Sequence, residues 1–206
     1  MMRIILALLV FAAEASPLYA AALTVRVVDA SGRPVRDAVV KLQPSGTAAH
    51  APRAGGRYVV SQQNLQFHPF LTVVPVGADV SFPNLDPTKH HVYSFSAAKR
   101  FELKLFARDQ SRTVHFDKPG VVALGCNIHD GMSAYVVVTD SAWTAKTDGR
   151  GIAQFADAPA GADMAVWHPY LRAPGGTVAR RLGAGERTVN VAVKLRPAPM
   201  HAMDGY

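Results

Sequence analysis

The chain has a single cysteine, Cys126, and it stands in the heptapeptide CNIHDGM with His129 three residues on and Met132 three beyond that. A thiolate, an imidazole and a thioether at such short steps make a soft donor set. Zinc prefers four stronger ligands and has little use for a thioether. Copper fits better: one more imidazole would complete a His-His-Cys plane with a long, weak methionine on its axis. A loop this short cannot surround an ion, so the missing imidazole must come from a distant strand. The stretch FPNLDPTKHHVYSFS supplies two candidates, His90 and His91. Neighbours on a strand point to opposite faces, so only one of them can ligate.

Other uses of the thiol fare worse. Cys126 has no partner for an internal disulfide. A free cysteine can pack as a small inert hydrophobe, but a histidine and a methionine at three-residue spacing argue for ligation. A nucleophile activated by His129 would need an orienting acid and an oxyanion feature, and neither is visible. Multicopper oxidase chemistry is disfavoured as well, because the sequence contains no His-x-His pair.

The elements that must position these residues read as strands. LTVRVVD alternates apolar and polar residues, ASGRPV turns, and RDAVVKLQP alternates again. FLTVVPVGADVSFPN gives two β-rich runs around Val76-Gly77, and HHVYSFS, FELKLF, RTVHF and AYVVV follow as short strands. Beyond Asp140 come further short strands with glycine-rich turns. No stretch holds a helical period over three turns. Many short strands at this spacing predict an all-β sandwich architecture.

The first residues predict export. Arg3 precedes an apolar run from Ile4 to Ala13, and Ala20 and Ala22 occupy the small-residue positions of a cleavage site. That run is too short to span a bilayer, which takes roughly 20 residues. Residues 1–22 are therefore expected to be a signal peptide, and the mature chain from Leu23 to be periplasmic or secreted, with no transmembrane segment. The formal charge is +7. From Val59 to Asp140 seven basic residues balance seven acidic ones, whereas the flanks carry fourteen against seven, so the excess lies outside the cysteine-bearing stretch. For an exported chain with no basic–aromatic cluster, nucleic acid is not the expected partner. An acidic protein or an anionic membrane surface suits the charge better.

From about Gln62 to Val138 the chain resembles the cupredoxins. Phe67 and Pro69 in LQFHP, followed by VPVGADVSFPNLD, are similar to the opening strands of that family and their glycine turn. VHFDKPGVVALGCNIHDGM is similar to its closing segment, with the short C-x-x-H-x-x-M loop of amicyanin. The resemblance implies a Greek-key sandwich with one type 1 copper site held by His90, Cys126, His129 and Met132. It implies single-electron transfer to a redox protein, with His129 in the loop as the electron's exit. One departure is that His91 stands where the family has an asparagine, whose hydrogen bond steadies the cysteine loop; His91 is left as a fallback ligand. The competing function is a copper carrier or storage module that hands over the ion. Exported proteins labelled methylamine utilization proteins show a similar overall layout.

The flanks resemble the two halves of a carboxypeptidase-regulatory-like (transthyretin-like) sandwich, a non-catalytic module. LTVRVVDASGRPVRDAVVKLQP matches its first hairpin and TAKTDGRGIAQFADAPAGADMAVWHP its later half. The expected organisation is a cupredoxin domain at 59–140, inserted in or joined to a second small β-sandwich made of 23–58 and 141–196, with 197–206 as a loose tail. His68 and His115 read as ordinary sheet residues and His168 as a cap on Trp167. Met200, His201 and Met203 are soft donors on the tail.

Overall fold

The computed structural model describes residues 21–44, 52 and 55–198. Nearly all of the expected leader, and the tail from residue 199 with Met200, His201 and Met203, lie outside the described residues. Among those described, seventeen strands and a single 3-10 turn (Pro174–Gly176) make up the regular structure. The chain begins with β1 (Ala21–Asp29) and β2 (Val39–Gln43). Three short strands follow, β3 (Tyr58–Val59), β4 (Ser61–Gln63) and β5 (Gln66–His68). Next are β6 (Leu71–Pro75), β7 (Ala78–Pro83), β8 (His90–Ser96) and β9 (Lys99–Phe106). They lead into β10 (Ser111–Phe116), β11 (Gly120–Cys126) and β12 (Ser133–Thr139). The rest is β13 (Thr144–Lys146), β14 (Ile152–Ala158), β15 (Asp163–Trp167), β16 (Val178–Arg181) and β17 (Thr188–Val193).

The fold is all-β, a Greek-key sandwich joined to a second small β-sandwich. Strands β6-β12-β11-β8-β9 form one sheet and β10-β7-β3 another. The connection is Greek-key because β8 and β9 pair as a hairpin, β10 crosses to the facing sheet, and β11 returns to lie beside β8. Alternation explains what fills the space between. Val122, Leu124 and Cys126 on β11 point inward with Val92 on β8, Val136 on β12, and Val80 and Phe82 on β7. The second sandwich closes β14-β1-β17 over β13-β2-β15-β16. Its core is a separate cluster: Leu23, Val25 and Val27 of β1 meet Val40 and Leu42 of β2, Phe155 of β14 and Val166 of β15. Each buried valine, leucine or phenylalanine contributes about 1.5–3 kcal/mol.

The two sandwiches touch through rings and cations. Tyr135, on the outward face of β12, packs edge-on against Trp167 at 5.8 Å between centroids and against Phe70 at 5.5 Å. Lys146 donates to the Leu71 carbonyl at 3.1 Å, and Lys41 pairs with Asp140. His168 does not cap Trp167. Its ring lies edge-on to Tyr170, and its Nδ1 accepts the Tyr170 backbone N–H at 3.2 Å. The reason is the turn after β15, which sends His168 inward while Trp167 faces Tyr135.

Candidate metal centre

Strand register brings the cysteine and one histidine together. Cys126 ends β11 and pairs with Val92 on β8. His90, two residues before Val92, lies on the same inward face as a diagonal neighbour, within reach of a long side chain. Its Nδ1 stands 3.6 Å from Cys126 Sγ. Cys126 is 4 % exposed and His90 fully buried.

After Cys126 the chain leaves the sheet, turns with the Met132 N–H donating to the His129 carbonyl at 3.0 Å, and re-enters as β12. This turn carries His129 over the strand ends. Its ring centroid lies 5.3 Å from that of His90, and the ligand atoms of His90, Cys126 and His129 all fall within 4.8 Å of one another. His129 Nδ1 is buried and has no hydrogen-bond partner. Met132, at 2 % exposure, lies in the same apolar cluster as Cys126.

His91 is turned away. Its Nε2 lies 2.9 Å from Glu102 on β9, on the outer side of the sheet. The cysteine loop is nevertheless tied at this position, because the Asn127 N–H donates to the His91 backbone carbonyl at 3.1 Å. A main-chain bond needs no asparagine. His115 pairs with exposed Asp79 at 2.8 Å, and His68 Nε2 lies 3.2 Å from the Gln63 carbonyl, so neither approaches the cluster.

Sequence reasoning missed one residue here. Asp86 is 4 % exposed, and its Oδ2 lies 2.8 Å from His90 Nε2. The backbone N–H groups of Asn64 and Leu65, in the β4–β5 turn, donate to the same carboxylate at 2.6 and 3.1 Å. Burial works against the Asp86 charge, but the hydrogen bonds from His90, Leu65 and Asn64 outweigh it and hold the carboxyl below its ordinary pKa. The loop carrying Asp86 wraps around buried Asn84, whose amide donates to the Thr88 and Phe106 carbonyls and whose Oδ1 accepts the Asp86 N–H. The only signal was an acid four residues before His90 in NLDPTKH.

The donor set suits a soft metal. Two imidazoles and a thiol sulfur converge, and His129 has a buried Nδ1 with no hydrogen-bond partner. An unpaired buried polar atom costs roughly 1–3 kcal/mol, and ligation would remove that cost.

No family model matches the chain, and no curated protein does either. Among solved structures it is similar to a reduced Cu(I) form of an amicyanin mutant, at 23% identity over 48% of this chain and 98% of that one, with a TM-score of 0.38. It is also similar to a copper-containing nitrite reductase from Thermus scotoductus SA-01, at 23% identity and a TM-score of 0.39. That match covers 47% of this chain but only 25% of the reductase. A purple cupredoxin from Nitrosopumilus maritimus is 19% identical over 40% of this chain and 99% of its own, with a TM-score of 0.36. These structural neighbours are cupredoxins, and each likeness covers less than half of the present chain.

Proposed function

We propose that this chain is an exported mononuclear type 1 copper protein that carries single electrons between redox partners. His90, Cys126, His129 and Met132 would hold the ion. Bound there, copper would supply a one-electron couple between Cu(II) and Cu(I). The observation that carries the reading is the convergence of donor atoms from His90, Cys126 and His129 within 4.8 Å, beside a buried His129 Nδ1 that has no hydrogen-bond partner. His90 and Cys126 come from paired strands, so their separation is set by the sheet and resists rearrangement when charge changes. His129 comes from the loop and is only half-buried, which makes its ring the shorter way to a partner.

The surrounding chain is read as two modules, a copper domain at 59–140 and a docking or scaffolding sandwich of 23–58 with 141–196. Separate apolar cores support the division. An acidic redox protein suits the second module, where Arg33, Arg172, Lys194 and Arg196 line an open groove with Asp29 as the one acid among its described lining residues. Export rests on the leader sequence. No helix among the described residues is long and apolar enough to cross a membrane.

A visible spectrum of the purified protein loaded with Cu(II) tests the reading. An intense thiolate-to-copper band toward the red end that bleaches reversibly on reduction is expected, and Cys126→Ser should remove it. A colourless protein, or a band that survives the substitution, rules the assignment out.

A further inference from the structure

Asp86 lies outside the proposed ligand set, yet it is the group most firmly built into the site. An ionised carboxylate only accepts hydrogen bonds, so the 2.8 Å contact requires His90 Nε2 to carry the proton. In the neutral ring the other nitrogen, Nδ1, is then a bare lone pair, and it is the one facing Cys126 Sγ at 3.6 Å. The carboxylate is itself held from behind. Asn64 and Leu65 both adopt left-handed backbone, with φ of 55° and 58°. Successive amides in such a turn point the same way and form a small anion-binding concavity, and both N–H groups reach Asp86. A hairpin more than twenty residues upstream thus fixes an acid that in turn fixes an imidazole.

We propose that Asp86 is a positioning and tuning residue for the metal centre: it locks His90 in the tautomer that presents Nδ1 to the ion, and its buried negative charge favours Cu(II) over Cu(I). This rests on the copper reading above. Two physical effects combine. A carboxylate behind a ligating imidazole raises the basicity of the ligand and fixes its orientation, and losing such a partner typically weakens metal binding 10–100-fold. A fixed negative charge also stabilises a divalent ion more than a monovalent one, and burial keeps solvent from screening it. A role confined to capping the β4–β5 turn would explain the amide contacts but not the imidazole contact.

Two measurements separate the possibilities. In the metal-free wild-type protein, nitrogen-15 NMR of the histidine rings should show His90 protonated at Nε2, with a slowly exchanging proton that disappears in Asp86→Ala. A bare Nε2 overturns the proposal without any reference to copper. In the copper-loaded protein, Asp86→Asn keeps the shape and removes the charge. It should shift the Cu(II)/Cu(I) balance about tenfold toward Cu(I), which for one electron is a rise of about 59 mV. A folded Asp86→Asn protein that keeps its visible band and an unchanged potential overturns the tuning role. Absence of the band from the wild type sinks the copper reading instead, and the metal-free NMR result still decides whether Asp86 holds His90.

Discussion

At the scale of single residues, the two adjacent histidines make opposite predictions. His90 is buried against the thiol and His91 faces Glu102 at the surface. Replacing His90 with Ala should abolish strong Cu(II) binding. His91→Gln should leave the spectrum intact and cost no more than about 1 kcal/mol, because the ring's polar partner, Glu102, is more than half exposed and water can replace the lost contact. Chemical denaturation with copper titration checks both, and equal loss from the two variants would undo the assignment. Met132 offers a second test. Its side chain is packed in the core, and a Met-to-Leu exchange of similar volume usually costs under about 1.5 kcal/mol. Met132→Leu should therefore fold and keep copper through the three stronger donors. Losing a sulfur donor while keeping the ion should raise the potential, as voltammetry would show. Complete loss of metal would make the thioether a principal ligand.

At the scale of elements, the strands that carry the site were legible because alternation is a local signal. HHVYSFS and AYVVV each read as a strand, and β8 and β12 contain them. The pairing of Cys126 with Val92 was not legible, since register depends on which strands meet across the sheet. Asp86 escaped for a similar reason: its role exists only once a hairpin some twenty residues away folds back onto it. The two- and three-residue strands β3, β4 and β5 are too short to show a period. Turn chemistry was easier to read. In the TDGRG turn after β13, Asp148 accepts the N–H groups of Arg150 and Ile152, and Gly151 takes a φ of 73°. A Cβ there would lie 2.4 Å from the Val27 carbonyl oxygen, a backbone atom that cannot step aside. Gly151→Ala should destabilise the second sandwich by roughly 2 kcal/mol or more, from left-handed strain plus the clash. Thermal unfolding followed by circular dichroism checks this, and an unchanged midpoint would contradict the strained geometry of this turn.

At the scale of the whole molecule, the contact between the sandwiches is held by aromatic rings, and one histidine beside them makes its stability depend on pH. His168 follows Trp167, which packs on Tyr135 across the boundary, and it touches Tyr170, whose ring lies 6.2 Å from Phe70 of the other sandwich. Burial pushes the His168 pKa down from 6.5 to about 4, although nearby Asp37 and a hydrogen bond to the Arg36 backbone pull the other way. The neutral ring is the one the structure needs, because Nδ1 accepts the Tyr170 N–H and a protonated nitrogen cannot. The folded pKa lies below the unfolded one, so the unfolded chain takes up the proton first. Stability should be intact above pH 6.5 and decline as the pH falls toward 4. The loss amounts to about 3 kcal/mol at 1.36 kcal/mol per pKa unit. Carboxylates held below their ordinary values, such as Asp140 beside Lys41 and Asp148 in its turn, lose their contribution only at lower pH, so the windows separate. Urea unfolding of the metal-free protein at pH 7, 5.5 and 4.5 resolves the histidine term, and His168→Gln should flatten that part of the curve while leaving the decline at lower pH. A wild-type stability that stays level from pH 7 to 4.5 would mean that the ring is not held neutral, and that the boundary between the sandwiches tolerates a charge at this point.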